Sequence, residues 1–342
     1  MISKHILVIQ TAFIGDAILA ASVLETLHHS LPDARIDFLV RKGNDPLFQE
    51  HPFIDELLIW DKKNGKYANL WKLFRKIRGK RYDCVINLQR YAATGFLTAF
   101  SGATLKIGFE KNPLAFLFTH RFPHPFDGSH EIERNYQLLQ PVTNGPLKNP
   151  VLYPTPQDFE AIKPYTGEKY ICIAPASVWY TKQFPLGKWL DLIDELPSDI
   201  PIYILGAPGD ASLADSLQNS QKNRRLLNLC GKLTLLQSAA LMKGAVMNYV
   251  NDSAPMHLCS AVNAPVCAIY CSTVPAFGYG PLSSRSFIGQ IRKPLPCRPC
   301  GLHGHKACPE GHFSCALEID VRELAGYLHD SPNYRNESLG DS

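Results

Sequence analysis

The chain has 342 residues, 45% of them hydrophobic and 19% charged, and a formal net charge of +4. This length suits two domains better than one, and the composition excludes a mainly disordered protein. No apolar run approaches the roughly 20 residues that span a membrane, and the N-terminus lacks the pattern of a signal peptide. We therefore expect a globular, cytoplasmic protein with a flexible polar tail at residues 331–342.

The first half of the chain alternates short strands and helices. Its strands are continuous apolar runs, which is typical of parallel strands covered by helices on both faces. The predicted strands are His5–Gln10, Ile36–Val40, Glu56–Trp60, Cys84–Leu88 and Leu105–Gly108, and the predicted helices are Ala17–Leu31, Tyr67–Arg78 and Ala92–Phe100.

A basic segment at residues 61–81 interrupts this pattern. It contains one acid, Asp61, and many cations, whose charge is typical of either a solvated helix face or a surface that attracts an anionic partner such as a phospholipid. Few aromatic residues are interleaved and no nucleic-acid motif is present, so we expect no nucleic-acid partner. The cations are Lys62, Lys63, Lys66, Lys72, Arg75, Lys76, Arg78, Lys80 and Arg81.

A proline-rich region at residues 144–165 separates the two halves. We place the domain boundary there, with a first domain at residues 1–155 and a second at residues 156–330. The alternation then restarts. Strands are predicted at Tyr170–Ala174, Ile202–Leu205, Leu226–Leu229, Val246–Val250 and Val266–Tyr270, and helices at Gly187–Leu196, Ala211–Ser220, Leu235–Lys243 and Pro255–Val262.

The pattern as a whole predicts an α/β protein with two Rossmann-like, doubly wound domains. Such domains bind ligands at the carboxyl ends of their strands, and in the GT-B architecture the two face a central cleft. Alternation alone does not separate this architecture from a two-domain dehydrogenase or a sugar-nucleotide epimerase.

The first candidate motif, residues 11–16, follows the first strand. It has one glycine, Gly15, where a dinucleotide-binding loop has three, and the acid that follows, Asp16, would repel a pyrophosphate. Asp16 therefore has two interpretations. It favours the helix N-terminus electrostatically, or it is a general base that removes a proton from an acceptor hydroxyl.

The second motif, residues 174–182, follows the first strand of the second half. Hydroxyls at Ser177 and Thr181 suit hydrogen bonding to a diphosphate, and Lys182 suits neutralisation of a leaving group. The alternative is an ordinary polar loop. A separate turn at residues 231–234 places Leu233 where it could lie against a nucleotide base.

The third motif, residues 250–258, ends a strand and starts a helix. Asp252 or Ser253 can cap that helix and Pro255 fits its first turn, so the helix N-terminus is available to a phosphate and Asp252 to a sugar or ribose hydroxyl. His257 in the first turn is either a phosphate or sugar contact or a structural histidine.

Taken together, these three loops resemble glycosyltransferase family 9, the ADP-heptose:lipopolysaccharide heptosyltransferases, over about residues 4–330, and most resemble the heptosyltransferase II type. The resemblance implies a GT-B fold and metal-independent transfer of heptose with inversion. It further implies catalytic roles for Asp16 and Lys182. The implied donor-binding residues are Ser177, Thr181, Lys182, Leu233, Asp252, Ser253, Ala254 and His257, and the implied acceptor-binding residues are Gly15, Arg90 and Arg134.

The chain departs from the family pattern at residues 87–89, Gln183 and Ala254. These departures leave the identity of the acceptor undetermined. The resemblance implies ADP-heptose as donor, a lipopolysaccharide precursor of the Kdo-lipid A type as acceptor and peripheral contact with the inner membrane. We expect a monomer. The alternatives are a sugar-nucleotide epimerase or NAD-dependent enzyme, and a non-catalytic binding protein.

A late segment is rich in cysteine and histidine. Cys297, Cys300, Cys308 and Cys315 have the ligand count of a structural zinc site, although the second pair is spaced too widely for the usual pattern. The alternative is a cysteine-rich loop without metal. Similar cysteines occur in family members, whose chemistry requires no cofactor.

Overall fold

The computed structural model describes residues 4–331 and 334, and the chain divides into two compact units, Met1–Tyr153 and Pro154–Ser342. The division lies two residues before the boundary that the sequence suggests. Of the predicted tail, all but residues 331 and 334 lie outside the described residues. None of the described helices is both long and apolar enough to cross a membrane.

The first unit is a six-stranded parallel sheet in the order β3-β2-β1-β4-β5-β6. Successive strands run outward from β1 on one side and then from β4 on the other, so the order reverses between β1 and β4. The strands are β1 His5–Gln10, β2 Arg35–Arg41, β3 Ile54–Trp60, β4 Cys84–Asn87, β5 Leu105–Phe109 and β6 His120–Phe122, and the helices are α1 Ile14–Ser30, α2 Lys66–Lys80, α3 Ala92–Ala99 and α4 Glu131–Gln137.

The second unit repeats this plan with the parallel order β12-β11-β10-β7-β8-β9. Its order reverses between β7 and β10. The strands are β7 Ile171–Ala174, β8 Ile202–Ile204, β9 Leu226–Asn228, β10 Met247–Asn251, β11 Val266–Tyr270 and β12 Ser286–Gln290, and the helices are α5 Pro156–Ile162, α6 Leu186–Glu195, α7 Ala211–Ser220, α8 Leu235–Gly244, α9 Ala254–Ala261, α10 Ser314–Leu317 and α11 Val321–Gly326.

The central strands of both sheets are buried along their length, as their continuous apolar runs predict. This confirms the predicted α/β class with two doubly wound domains. One predicted boundary needs correction, and two strands were not predicted. The first helix begins at Ile14 rather than Ala17, so Gly15 and Asp16 lie in its first turn, and the edge strands β6 and β12 escaped prediction because they are only partly buried.

The strand orders of the two sheets determine where the predicted motifs lie. A doubly wound sheet binds ligands where its strand order reverses, at the carboxyl ends of the strands. In the first unit, residues 11–16 follow β1 and Arg90 follows β4. In the second unit, residues 175–182 follow β7 and residues 252–257 follow β10. Each predicted motif therefore lies at a switch point of its own sheet.

Candidate active site

Asp16 occupies the third position of α1, and Phe13 is the N-cap residue, with its ring 67% exposed. A carboxylate at this position can accept hydrogen bonds from free amides of the first turn. Both interpretations of Asp16 are therefore compatible with the structure, because its carboxylate lies where it can accept hydrogen bonds from amides of the helix start and also lies beside the switch point.

The pKa of Asp16 is raised from 3.8 to about 6, and its main cause is burial. The negative charge of Glu131 adds to the increase, whereas backbone amides of Phe13 and Asp16 and the positive charge of Arg90 oppose it. A carboxylate with a pKa near 6 is a stronger base than an ordinary aspartate and is still ionised at neutral pH. This combination suits proton abstraction from a hydroxyl.

Glu131 belongs to a buried polar cluster with His124 and Arg134. His124 Nε2 lies 3.2 and 3.1 Å from the two oxygens of Glu131, and Arg134 Nη1 donates to Glu131 Oε2 at 3.3 Å. Arg90 joins the cluster through a contact of 3.5 Å between its Nη1 and His124 Nδ1. The two arginines predicted from the sequence are thus brought together by two residues, His124 and Glu131, that the prediction did not include.

The structure shows what surrounds Arg134, whose predicted acceptor role stays a prediction. Its side chain is completely buried, lies over the Phe126 ring and is paired with Glu131. In this position Arg134 braces Glu131. Arg90 is partly exposed and keeps the predicted role as a proposal.

Replacing Glu131 with glutamine removes one negative charge beside Asp16 while the side chain keeps an oxygen for His124. We expect the pKa of Asp16 to fall, so the acid limb of the kcat/KM profile moves to lower pH. In the wild type that limb should lie near pH 6, with a loss of about tenfold per pH unit below it. The pH profiles of kcat/KM for the two proteins would test this. An acid limb at the same pH in both would show that Glu131 does not raise the pKa of Asp16.

Lys62 is a further residue that the motif search missed. Its Nζ donates to the Thr11 carbonyl at 2.6 Å and to Thr11 Oγ1 at 3.0 Å, and burial, together with Arg41 and Lys66, lowers its pKa to about 8. The contact holds the start of the 11–16 loop. Beside it is a groove of about 650 Å³ lined by Thr11, Lys62 and several aromatic residues.

In the second unit, Asn251 fixes the loop that follows β7. Its Nδ2 donates to the Pro175 carbonyl at 2.7 Å, and its Oδ1 accepts from the Phe184 amide at 3.0 Å. Asn251 is fully buried at the end of β10. One side chain therefore joins both ends of the 175–184 loop to the neighbouring central strand.

Lys182 and Asp252, predicted from separate motifs, form an ion pair of 2.7 Å between Nζ and Oδ2. The Thr273 hydroxyl donates to the same Oδ2 at 2.6 Å. Asp252 Oδ1 accepts no hydrogen bond from any described residue. The pair thus leaves one carboxylate oxygen available, together with a lysine that a second anion can share.

The remaining loop residues have different roles. The Thr181 hydroxyl is buried and accepts hydrogen bonds from Ser272 Oγ at 3.0 Å and the His305 amide at 2.7 Å. These contacts hold the loop, and the predicted role of Thr181 in binding a diphosphate stays a prediction. The Ser177 hydroxyl has no partner among residues 4–331, and Gln183 supports the loop by donating to the Ser177 carbonyl at 2.6 Å.

The N-terminus of α9 follows Asp252 directly. Ser253 is its N-cap, but neither Ser253 nor Asp252 makes the side-chain capping bond that the sequence suggested, and Ala254 and Pro255 form the start of the helix. His257 lies in the next part of the turn and is buried. In the separate turn before α8, Leu233 is partly exposed, as the predicted contact with a base requires.

The late cysteine segment packs directly against the 175–184 loop. Besides the His305 contact, the Thr181 amide donates to the His305 carbonyl at 3.1 Å, and the Cys300 amide donates to the Ser272 carbonyl at 2.9 Å. Arg298 donates to the carbonyls of Cys271 and Thr273, both at 2.7 Å. The segment therefore braces the residues that hold Lys182 and Asp252.

The predicted zinc site depends on how the four late cysteines are placed. All ten cysteines are free thiols, and Cys297 Sγ lies 3.9 Å from His312 Nε2. In the described part of the chain, however, the four predicted sulfurs do not gather within 4.8 Å of one another, as ligands of one ion must. Cys297, Cys300 and Cys308 nevertheless lie near enough to Cys315 to add to the rise of its pKa, whose main cause is burial. Zinc stays a prediction that elemental analysis of the purified protein would test.

One other group, His5, Asp37 and Asp55, does place its ligand atoms within 4.8 Å of one another. Lys80 Nζ and Tyr82 OH both lie 2.5 Å from Asp37 Oδ2, and Asp55 is paired with an arginine. The carboxylates are thus already neutralised, and the group lies at the amino ends of β1 and β2, away from the switch point.

The sequence profile of glycosyltransferase family 9 (heptosyltransferase) matches residues 70–308, which is more than half of the chain. The chain belongs to glycosyltransferase family 9. The family assigned from the loop motifs is thereby confirmed, the protein is a glycosyltransferase, and the epimerase and NAD-dependent alternatives are set aside.

Individual relatives agree with this assignment. Lipopolysaccharide heptosyltransferase 3 of Escherichia coli is 26% identical over 76% of this chain and 82% of its own length. The structure of E. coli ADP-heptose lipopolysaccharide heptosyltransferase II matches with a TM-score of 0.79 at 20% identity, covering 96% of this chain and 98% of that one. An E. coli heptosyltransferase solved with ADP-2-deoxy-2-fluoro heptose matches with a TM-score of 0.73 at 18% identity, covering 96% and 99%. These structural matches show that the glycosyltransferase shares their GT-B fold.

Proposed function

We propose that this glycosyltransferase moves heptose from ADP-heptose to a sugar of the lipopolysaccharide inner core, either Kdo or a first heptose. The names of the relatives support the sugar and the acceptor class, and the related enzyme solved with an ADP-heptose analogue supports the donor. The observation that carries the proposal in this chain is Asp16, a carboxylate with a pKa of about 6 at the switch point of the first sheet.

Asp16 is the general base in this proposal. It accepts the proton of the acceptor hydroxyl while the hydroxyl oxygen forms a bond to the anomeric carbon of heptose. The bond from that carbon to the diphosphate breaks in the same step, and the electron pair leaves with ADP. Attack from the face opposite the leaving group inverts the anomeric configuration.

Lys182 stabilises the leaving group. Its ammonium is already fixed by Asp252 at 2.7 Å, so little reorganisation is needed when a diphosphate binds beside it. The unpaired oxygen of Asp252 can accept a hydrogen bond from a donor hydroxyl. The Ser177 hydroxyl and the N-terminus of α9 supply hydrogen-bond donors to the phosphates, and none of these steps assigns a role to a metal.

Release of the nucleoside diphosphate, ADP or UDP according to the donor, from purified protein tests the proposal. The donors would be ADP-heptose and, as matched controls, ADP-glucose and UDP-glucose, each with and without an acceptor, Kdo-lipid A or heptosyl-Kdo-lipid A. We expect release that requires both ADP-heptose and the acceptor. Equal release from all donors, or release that ignores the acceptor, would contradict the assigned donor and the transfer reaction.

A further inference from the structure

The outer surface of α2 and α3 carries a row of aromatic rings. Trp71, Phe74, Phe96 and Phe100 follow one another with centroid separations of 5.0, 5.0 and 5.3 Å. The two inner rings are partly buried, whereas Trp71 is 53% and Phe100 43% exposed. Large aromatic side chains that are half in water are typical of a surface that meets a partner or a membrane interface.

Cations without acidic partners lie beside these rings. Arg75, Arg78 and Arg81 line an open groove of about 500 Å³, together with Phe74 and Ser101. Arg78 Nη1 donates to the Phe100 carbonyl at 2.9 Å, so it is fixed at the rim of the groove. Across residues 4–331, no carboxylate pairs with Arg75 or Arg81.

Two lysines of the basic segment are paired with acidic residues, and a third, Lys72, is not. Lys76 and Lys80 are paired with Glu56, and Lys80 also contacts Asp37. Lys72, on the exposed side of α2 next to Trp71, has no acidic partner among the described residues. Unpaired positive charge therefore remains beside the row of aromatic rings, at Lys72, Arg75 and Arg81.

The backbone at Arg81 adds a further observation. Arg81 is the C-cap of α2 and has φ 53° and ψ 57°, a left-handed conformation that favours glycine at the end of a helix. Local structure therefore does not explain an arginine at this position. Its side chain instead adds a third guanidinium to the groove.

We propose that the surface formed by Trp71, Lys72, Arg75, Arg78, Arg81 and Phe100, here called the arginine–aromatic face, docks on a bilayer that contains anionic phospholipid. Unpaired cations attract the negative surface of the bilayer. The two exposed rings suit the headgroup region, where an aromatic ring contacts apolar chains on one side and water on the other. The groove offers three guanidinium groups to a lipid phosphate. An acidic partner without a bilayer is the alternative that the competition experiment below tests.

The docking proposal deepens the proposed function, because an acceptor of lipopolysaccharide type is held in a membrane. Docking can be tested without donor or acceptor, so the docking proposal and the proposed function can fail separately. Loss of docking would leave ADP release from a deacylated, soluble acceptor unchanged. Failure of ADP release with every donor would leave vesicle binding unchanged.

The test is co-sedimentation of the full chain with vesicles of phosphatidylcholine, with and without phosphatidylglycerol. We expect binding only to the anionic vesicles, weakened by salt, and a blue shift of tryptophan emission that the Trp71→Phe variant lacks. A variant with Lys72→Gln, Arg75→Gln and Arg81→Gly should bind roughly 100-fold more weakly, because each cation near an anionic surface contributes about one kcal/mol. Its matched control, with Lys222→Gln, Lys243→Gln and Lys293→Gln in the second unit, loses the same charge and should bind like the wild type.

Arg81→Gly alone separates docking from folding. Glycine suits the left-handed conformation, so this variant should melt at the same or a higher temperature while it binds vesicles less tightly. The proposal is overturned if the wild type ignores anionic vesicles or if the control variant loses as much binding as the test variant. It is also overturned if soluble polyglutamate competes as well as the vesicles do, since the partner would then be an acidic polymer.

Discussion

Replacing Asp16 with asparagine should lower kcat by about a thousandfold, because the acceptor hydroxyl loses its base while the shape of the side chain is kept. KM for ADP-heptose should change little, since the donor residues lie in the second unit. Steady-state ADP release with saturating acceptor measures both constants.

The same substitution should stabilise the protein. Burial raises the pKa of Asp16 from 3.8 to about 6, so the folded chain holds a proton more tightly than the unfolded chain does. The free energy of unfolding therefore falls as the pH rises between these values, and above pH 6 the charged carboxylate costs at most about 3 kcal/mol. Asp16→Asn should unfold at higher denaturant concentration than the wild type at pH 7.5, and the difference should vanish below pH 4.

Asp158 offers a matched control. It is also an aspartate at the third position of a helix, α5, where it forms a capping box with Thr155. Asp158→Asn should leave kcat unchanged and lower the free energy of unfolding by about 1 kcal/mol, the usual effect of weakening a cap. If both variants lost activity equally, or if Asp16→Asn were destabilised like Asp158→Asn, Asp16 would be a capping residue and not a base.

The second large effect is expected for Lys182→Gln. Without the ammonium, negative charge develops on the departing diphosphate unopposed, and kcat should fall by between about a hundredfold and a thousandfold. The variant should also be less stable by about 1–3 kcal/mol, because Asp252 is almost completely buried and loses its ionic partner. Kinetics and denaturant unfolding of the same preparation measure the two effects.

A double variant separates them. Adding Asp252→Asn to Lys182→Gln replaces the ion pair with two neutral amides, so stability should recover while activity stays low. Recovery of activity together with stability would mean that Lys182 supports the fold and does not act on the leaving group.

The sequence predicted the fold well because both sheets are parallel and buried, so their strands are plain apolar runs between helices. It also located the loops at the switch points, because the residues after β1, β7 and β10 carry the unusual polar groups. Edge strand β6 was missed for the opposite reason, since its three residues include the exposed His120 and Arg121.

Pairings between distant loops could not be predicted. The cluster of Arg90, His124 and Glu131 depends on which strands are neighbours in the first sheet, and the ion pair of Lys182 and Asp252 depends on β7 lying next to β10. Burial could not be predicted from the sequence either, so the two hydrogen bonds that the buried Thr181 hydroxyl accepts were not foreseen.

The central claim is a direct transfer of heptose in which Asp16 is the base. The most direct measurement is the mass of two acceptors, Kdo-lipid A and heptosyl-Kdo-lipid A, after incubation with ADP-heptose and either the wild type or Asp16→Asn. The account predicts that the wild type adds one heptose to one of these acceptors and that the variant leaves both masses unchanged. Two unchanged acceptors with the wild type, or equal addition by the variant, would contradict it.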